Sequence, residues 1–300
     1  GRCNHESSCG YHYTPKQFFI DNPVEKERFV TPVRQKTIQK PQQEVGYIPF
    51  QYVEKAVSYN SSFIRFLCGL FDRYTLESPT IERLMNDYAL GATKDGCIIY
   101  WQIDINGKAR TGKIMRYNPE TGRRVKDAGG INWVHSILKK KKLLPDNFNL
   151  VQCLFGEQLL KMYPKKPVAL VESEKSALIA SGVYPEYIWL ATGGKSQLSI
   201  EKMKVLHGRT VLAFPDVDGF DYWKDKAKEL ESIGCNVLVS DILEKNATDQ
   251  DRTNKIDLAD WLIRDLMTDC RPAPNTLDTL LGINPVLKSL IETFDLKLIA

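Results

Sequence analysis

Three hundred residues, 43% of them hydrophobic, allow two domains or one large one with an ordinary core, and exclude a chain that stays disordered. A formal net charge of +4 is too mild to announce a nucleic-acid binder by itself, so distribution matters more: basic residues crowd between Lys94 and Lys142. Seven scattered cysteines, no secretory signal pattern and no apolar run long enough for a bilayer predict a reducing cytoplasm, no structural disulfides and no membrane partner.

The first residues crowd Cys3, His5, Cys9 and His12 into one short stretch, the density of a zinc site, although Cys-x₅-Cys is not a full set of four ligands. A frayed tail with reducible thiols is the alternative. The start at Gly1 in place of Met reads as cut. Residues 14–49 are polar and carry Pro15, Pro23, Pro32 and Pro41, which predicts a linker or loosely packed arm. Phe50 to Phe71 has apolar residues at helical spacing, and Ser78-Pro79-Thr80 precedes a second helix through Leu84; both predict core-facing helices.

Gly96 to Asp104 and Lys108 to Tyr117 read as two strands joined at Asn106-Gly107, a dipeptide suited to the positive φ angles of a tight hairpin turn. In the second strand Lys108, Arg110, Gly112, Ile114 and Arg116 share one parity, and Arg123, Arg124 and Lys126 follow the turn from Asn118 to Gly122. Arg and Lys spread along one face suit phosphate contacts and counterion release; a solvated strand face is the alternative. Trp133 to Leu143 predicts an amphipathic helix whose lysines 139–142 suit the negative end of its dipole, and Phe155 to Leu160 predicts a short helix. Cys68, Cys97, Cys153, Cys235 and Cys270 lie in apolar or mixed contexts, as buried small hydrophobes do.

Two apolar runs then deliver carboxylates at their far ends: Val168 to Val171 leads into Glu172, and Thr210 to Phe214 leads into Asp216 and Asp218. Each run followed by a helical pattern reads as a buried parallel strand and its crossover helix. Ile188 to Ala191 and Gly234 to Ser240 add two more strands, giving an α/β chain with a parallel sheet of about four strands, preceded by a smaller α+β part containing the hairpin. Acids at carboxyl ends of strands sit where open α/β sheets bind ligands. Grouped carboxylates repel one another, and hard oxygen ligands suit Mg²⁺ or Mn²⁺; an ordinary solvated turn at Asp216-Val-Asp218-Gly219 is the alternative. Thr192-Gly193-Gly194 turns at the same sheet edge. Gly194-Lys195-Ser196 matches the end of a phosphate-binding Walker loop, but Trp189 stands where its first Gly belongs, so no ATP-driven helicase is expected in this chain.

Val171-Glu172 before a helix, a strand ending in Asp216-Val-Asp218, and Lys255-Ile-Asp257-Leu-Ala-Asp260-Trp-Leu before an amphipathic helix together resemble the TOPRIM domain of bacterial-type primases, including those of phages and mobile elements. The resemblance runs from Phe155 to Leu266. It implies a divalent-metal site on Glu172, Asp216, Asp218 and Asp257, with the first three catalytic. It implies a groove lined by Arg110, Lys113, Arg116, Arg123, Arg124 and Lys126, with Lys175, Gly193 and Gly194 as further nucleotide or nucleic-acid contacts. Cys3 and Cys9 become part of a zinc ribbon whose other cysteine pair lay upstream. Single-stranded DNA, ribonucleoside triphosphates and a replicative helicase are the implied partners.

Two departures stand out: Ser173 and Ser176 occupy places where the family has a small residue and an acid, and Asp221 stands where many members have Gly. A nuclease with the same metal site, and a non-catalytic DNA-binding accessory module, are the competing readings. The expected organisation is a zinc-ribbon remnant over 1–13, a linker over 14–49, an α+β subdomain over 50–160, the TOPRIM part over 161–270 and a helical element over 271–300.

Overall fold

In the computed structural model the described residues are 13–23, 44–73, 80–126 and 130–268; Cys3, Cys9, Cys270 and the helical element expected over 271–300 lie outside them. Two units divide the chain, Gly1–Glu44 and Val45–Ala300. The first contains a helix, α1 (Pro15–Asp21), inside the stretch expected to be a linker. Its start is a local signal: Pro15 takes the first helical turn, where its missing N–H costs nothing, and Thr14 Oγ1 accepts the Gln17 N–H at 3.1 Å.

In the second unit the helical pattern of residues 50–71 breaks into α2 (Gln51–Ala56) and α3 (Ser62–Arg73), because buried Ser61 accepts the Ile64 N–H at 3.1 Å and starts a new helix. Helix α4 (Thr80–Tyr88) follows. Strands β1 (Gly91–Ala92), β2 (Ile98–Ile103), β3 (Ala109–Met115) and β4 (Asn132–Trp133) form an antiparallel sheet in that order. The β2–β3 hairpin closes where expected: Gly107 has φ +78, and Asp104 Oδ1 accepts the N–H groups of Asn106 and Lys108 at 3.0 Å each. Helix α5 (Val134–Lys140) and the short α6 (Leu159–Met162) lead to the second sheet. The latter begins later than expected because residues 155–158 form a bridge and turn instead.

The remaining elements are β5 (Val168–Val171), α7 (Glu174–Val183), β6 (Ile188–Ala191), α8 (Ile200–Met203), β7 (Thr210–Phe214), α9 (Phe220–Glu231), β8 (Asn236–Val239), α10 (Ile242–Asn246), α11 (Asp249–Asn254) and α12 (Leu258–Thr268). Their four strands pair in parallel in the order β6-β5-β7-β8. The expected boundary near residue 160 is crossed by one continuous core, in which Phe63, Tyr88, Tyr100 and Phe155 pack in the same cluster as Leu170 and Leu190. The rings of Tyr88 and Phe155 stack with centroids 5.0 Å apart, each burial contributing on the order of 1.5–3 kcal/mol. A second cluster, with Ile99, Trp101, Ile114 and Val134, covers the other face of the antiparallel sheet, and Ile48 from the expected linker joins it. Of the cysteines described, Cys153 and Cys235 are buried, whereas Cys68 and Cys97 are half-exposed, correcting the expectation for those two. No helix among the described residues is long and apolar enough to cross a membrane.

Candidate functional site

From β5 the chain moves out to β6 on one side, returns past β5, and continues through β7 to β8 on the other. The point where strand order reverses is therefore the crevice between β5 and β7, and ligands bind outside the carboxyl ends of strands at such a point. Val171 pairs in register with Phe214, so Glu172 and Asp216, one and two residues further on, emerge at the same level on either side of the crevice. They are tied together: the Asp216 N–H donates to Glu172 Oε1 at 3.2 Å. Gly219 permits the approach, since a Cβ there would lie 2.6 Å from that oxygen. A glycine here is thus a packing requirement, and α9 starts directly after it.

The other two acids arrive from different directions. The Val217 N–H donates to Ile256 O at 3.3 Å, which brings the segment before α12 against the loop after β7 and sets Asp257 at the same edge. Asp257 Oδ2 lies 3.2 Å from Lys175 Nζ, which also reaches Asp260 Oδ1 at 2.8 Å. Asp218 sits between two ammonium groups: Lys195 Nζ is 3.7 Å from its Oδ1 and donates to its carbonyl, and Lys255 Nζ is 3.2 Å from its Oδ2. Beside Glu172, its own carbonyl accepts the Gly193 N–H at 2.9 Å, and Lys202 Nζ donates to Thr192 O at 3.0 Å, fixing the Gly193-Gly194 loop.

Charge at this edge is out of balance. Burial pushes the Glu172 carboxyl up to about 7, with the charges of Asp218 and Asp257 adding to it against the Asp216 N–H and Lys195. Burial raises Asp216 further, to about 9, reinforced by Glu172, Asp257 and Asp218 and opposed by Lys175. Burial also raises Asp257, with Lys175 opposing. Lys175 loses by burial but is held above its ordinary value by Asp257 and Asp260. Perturbations of this kind gather where a protein handles charge from outside.

Among the described residues no three His, Cys, Asp or Glu side chains form a ready-made metal cage. The donor set still fits a hard cation: it is all oxygen, and Mg²⁺ commonly takes one or two carboxylates, with water and substrate oxygens completing its shell. Ser176, where the family has an acid, is fully buried, with its Oγ 2.9 Å from that of Ser173, the residue that caps α7. It adds no ligand.

The expected basic face does not form as one surface. Arg110 falls at a bulge, where Thr111 pairs with Gln102 and Ala109 with Ile103, so it does not continue the row of side chains that includes Lys113. Arg110 Nε bonds buried Asp104 Oδ2 at 2.8 Å, and Lys113 Nζ bonds buried Glu174 Oε2, at the start of α7, at 2.8 Å. Arg116 pairs with Asp95. Arg123, Arg124 and Lys126 are exposed. Glu174, Lys195, Lys202 and Lys255 join the site without having been expected there: Lys195 read only as the end of a Walker-like loop and Lys255 only as the start of the acidic segment. The nearest signals for two of them are sequence neighbours, Glu174 two residues after Glu172 and Lys255 two before Asp257. On the same sheet Thr111 Oγ1 lies 2.7 Å from His135 Nδ1.

The site defines the chain as an α/β protein with a carboxylate-bearing switch point. It belongs to the family described as Domain of unknown function (DUF6371), whose model matches residues 61–217, just over half its length. A zinc beta-ribbon finger model matches residues 1–24. No curated protein matches. Among solved structures the chain is similar to the primase fragment of the bacteriophage T7 primase-helicase protein, at 15% identity and TM-score 0.37, covering 74% of this chain and 82% of that one. It is also similar to the zinc-binding and RNA polymerase domains of the Aquifex aeolicus primase, at 13% identity and TM-score 0.44, covering 83% and 67%. The E. coli primase catalytic core follows at 10% identity and TM-score 0.39, covering 72% and 82%.

Proposed function

We propose that this chain is a primase-type nucleotidyl transferase that joins ribonucleotides on a single-stranded DNA template, with Mg²⁺ or Mn²⁺ at the edge of the parallel sheet. The observation that carries this is the pair of buried Glu172 and half-buried Asp216 at the switch point, neither of which has an ion-pair partner among the described residues. These two would hold the cation, with Asp218 and Asp257 at its rim. When bound, the metal supplies counter-charge to the triphosphate and acidifies the attacking hydroxyl.

The chain's own groups do the rest. Glu172 Oε1 is occupied by the Asp216 N–H, which leaves Oε2 to take the proton of the attacking hydroxyl as its bond to the α-phosphorus forms and pyrophosphate leaves. Exposed Arg123, Arg124 and Lys126 offer contacts to template phosphates, and Lys113, released from Glu174, would be a further one. The order of motifs in the sequence supports a primase over other metal-dependent enzymes, and the zinc-ribbon match over residues 1–24 supports a zinc-holding element on Cys3 and Cys9 that reads template sequence. A replicative helicase partner in the cytoplasm belongs to the same reading.

The test is synthesis from labelled ribonucleotides on single-stranded DNA with Mg²⁺ or Mn²⁺. Short products that depend on metal and vanish with Asp216→Asn are expected. Metal-dependent loss of the template instead would make the chain a nuclease, and template binding without either reaction would make it an accessory module.

A further inference from the structure

We infer that the site takes one divalent cation, and that Lys195 and Lys255 fill the position beside Asp218 where a second would bind; this rests on the metal-dependent reading above. The pairing of the side chains supports it. Five acids meet at this edge, Glu172, Asp216, Asp218, Asp257 and Asp260, and the ammonium groups of Lys175, Lys195 and Lys255 reach three of them. Glu172 and Asp216 are left as a pair, the one or two carboxylates that a hard divalent ion commonly takes.

The distribution says which acids it serves. Asp257 and Asp260 share Lys175, and Asp218 has Lys195 and Lys255 on its two oxygens. Among the described residues Glu172 and Asp216 have no ion pair, so they are the acids open to a cation. A second cation would need Asp218 to give up both lysines.

The backbone at Lys255 points the same way. It has φ +51, the left-handed region that L side chains seldom adopt, at the end of α11, and its N–H donates to Arg252 O at 3.2 Å. An unfavoured backbone conformation thus places an ammonium against a site acid, while Lys195 reaches the same acid from the loop that follows Gly194. Two-metal sites place ions about 4 Å apart to steady both the attacking and the leaving oxygen. In this chain one of those duties falls to the ammonium groups of Lys195 and Lys255, which can donate hydrogen bonds to the phosphates of a triphosphate without bringing in a second ion.

Titration of the full, zinc-loaded chain with Mn²⁺, read as free Mn²⁺ by electron paramagnetic resonance without nucleotide, counts the ions directly. One Mn²⁺ per chain is expected for the wild type, none for Asp216→Asn, and two for the double variant Lys195→Ala with Lys255→Ala. Both lysines reach into solvent, and the charge-preserving double variant Lys195→Arg with Lys255→Arg, expected to keep one ion, controls for damage to the fold. Two ions in the wild type would overturn the inference while leaving the metal site standing. No ion in the wild type would remove the metal site and the inference with it. A single ion in the double alanine variant would show that the lysines do not hold the second position, and would overturn the inference.

Discussion

Where α7 meets the antiparallel sheet, a buried acid carries its own cation: Glu174 holds Lys113 at 2.8 Å, and on the hairpin Asp104 holds Arg110 at the same distance. At the carboxyl edge of the parallel sheet, Glu172 is buried and Asp216 half-buried, yet burial and the charges of neighbouring acids drive both upward. The same residue types thus have opposite electrostatics. An acid neutralised from within is finished as a structural part. One left in excess costs stability in the free protein, and that cost is recovered only when a cation arrives from outside. The contrast separates function from architecture more sharply than the presence of acids does.

The largest expected effect lies on the unbalanced side. Replacing Asp216 by Asn should lower metal-dependent synthesis by roughly a thousandfold, the scale of several kcal/mol of metal-borne stabilisation. The folded protein should survive the change, and at pH 8 without metal it should melt a few degrees higher, since a carboxylate held far from its ordinary value has been removed. Retained synthesis in Asp216→Asn, measured beside its melting curve, would remove this acid from the chemistry.

The balanced side should respond the other way. Glu174→Gln leaves the Lys113 ammonium buried without its partner, a loss of roughly 3–5 kcal/mol, or about 10 °C in thermal midpoint for a unit of this size. Adding Lys113→Met should restore most of it, because an apolar pair of similar volume takes the place of an ion pair. A double variant no more stable than Glu174→Gln would show that the pair is not what holds α7 to the antiparallel sheet.

A pH series in metal-free buffer sharpens the comparison. Acids raised in the folded state bind protons that the unfolded chain has already released, so their contribution is fully present below the ordinary carboxylate range and is lost as pH rises through the folded values of about 7 and about 9. The thermal midpoint of the wild type should therefore fall between pH 6 and 9. Added Mg²⁺ should flatten the curve, and so should Asp216→Asn. A midpoint that climbs over that range would mean that the two acids are already compensated.

How much of this was legible beforehand divides along the same line. The edge acids could be read because a run of β-branched and apolar residues ending in a carboxylate is a local pattern, and the hairpin because Asn106-Gly107 states its own turn. Pairing is not local. Lys113 looked like groove lining because its partner lies 61 residues away, at the start of α7. The break between α2 and α3 was hidden for the reverse reason: the helical period continues across it, and only the buried Ser61 cap interrupts the backbone. The lysines at Asp218 come from two segments that the fold alone brings together, and no spacing announces them.

The smallest effect concerns the basic residues, which divide in the same way. Arg110 is held by Asp104 and by Val151 O at 3.3 Å, so its positive charge is mostly spent within the protein. Arg123 and Arg124 are exposed after the turn that follows β3. If the exposed pair meets template phosphates, Arg123→Ala and Arg124→Ala should each weaken single-strand binding only a few-fold, and each should reduce the slope of log affinity against log salt by about 0.7, the counterion release of one phosphate contact. Arg110→Ala should leave that slope unchanged and lower the melting temperature instead, because it strands the buried Asp104 carboxylate. Binding isotherms at four salt concentrations, set beside melting curves, read both effects in the same variants. A loss of slope in Arg110→Ala without loss of stability would reverse the assignment, placing the template on the hairpin face rather than beyond it.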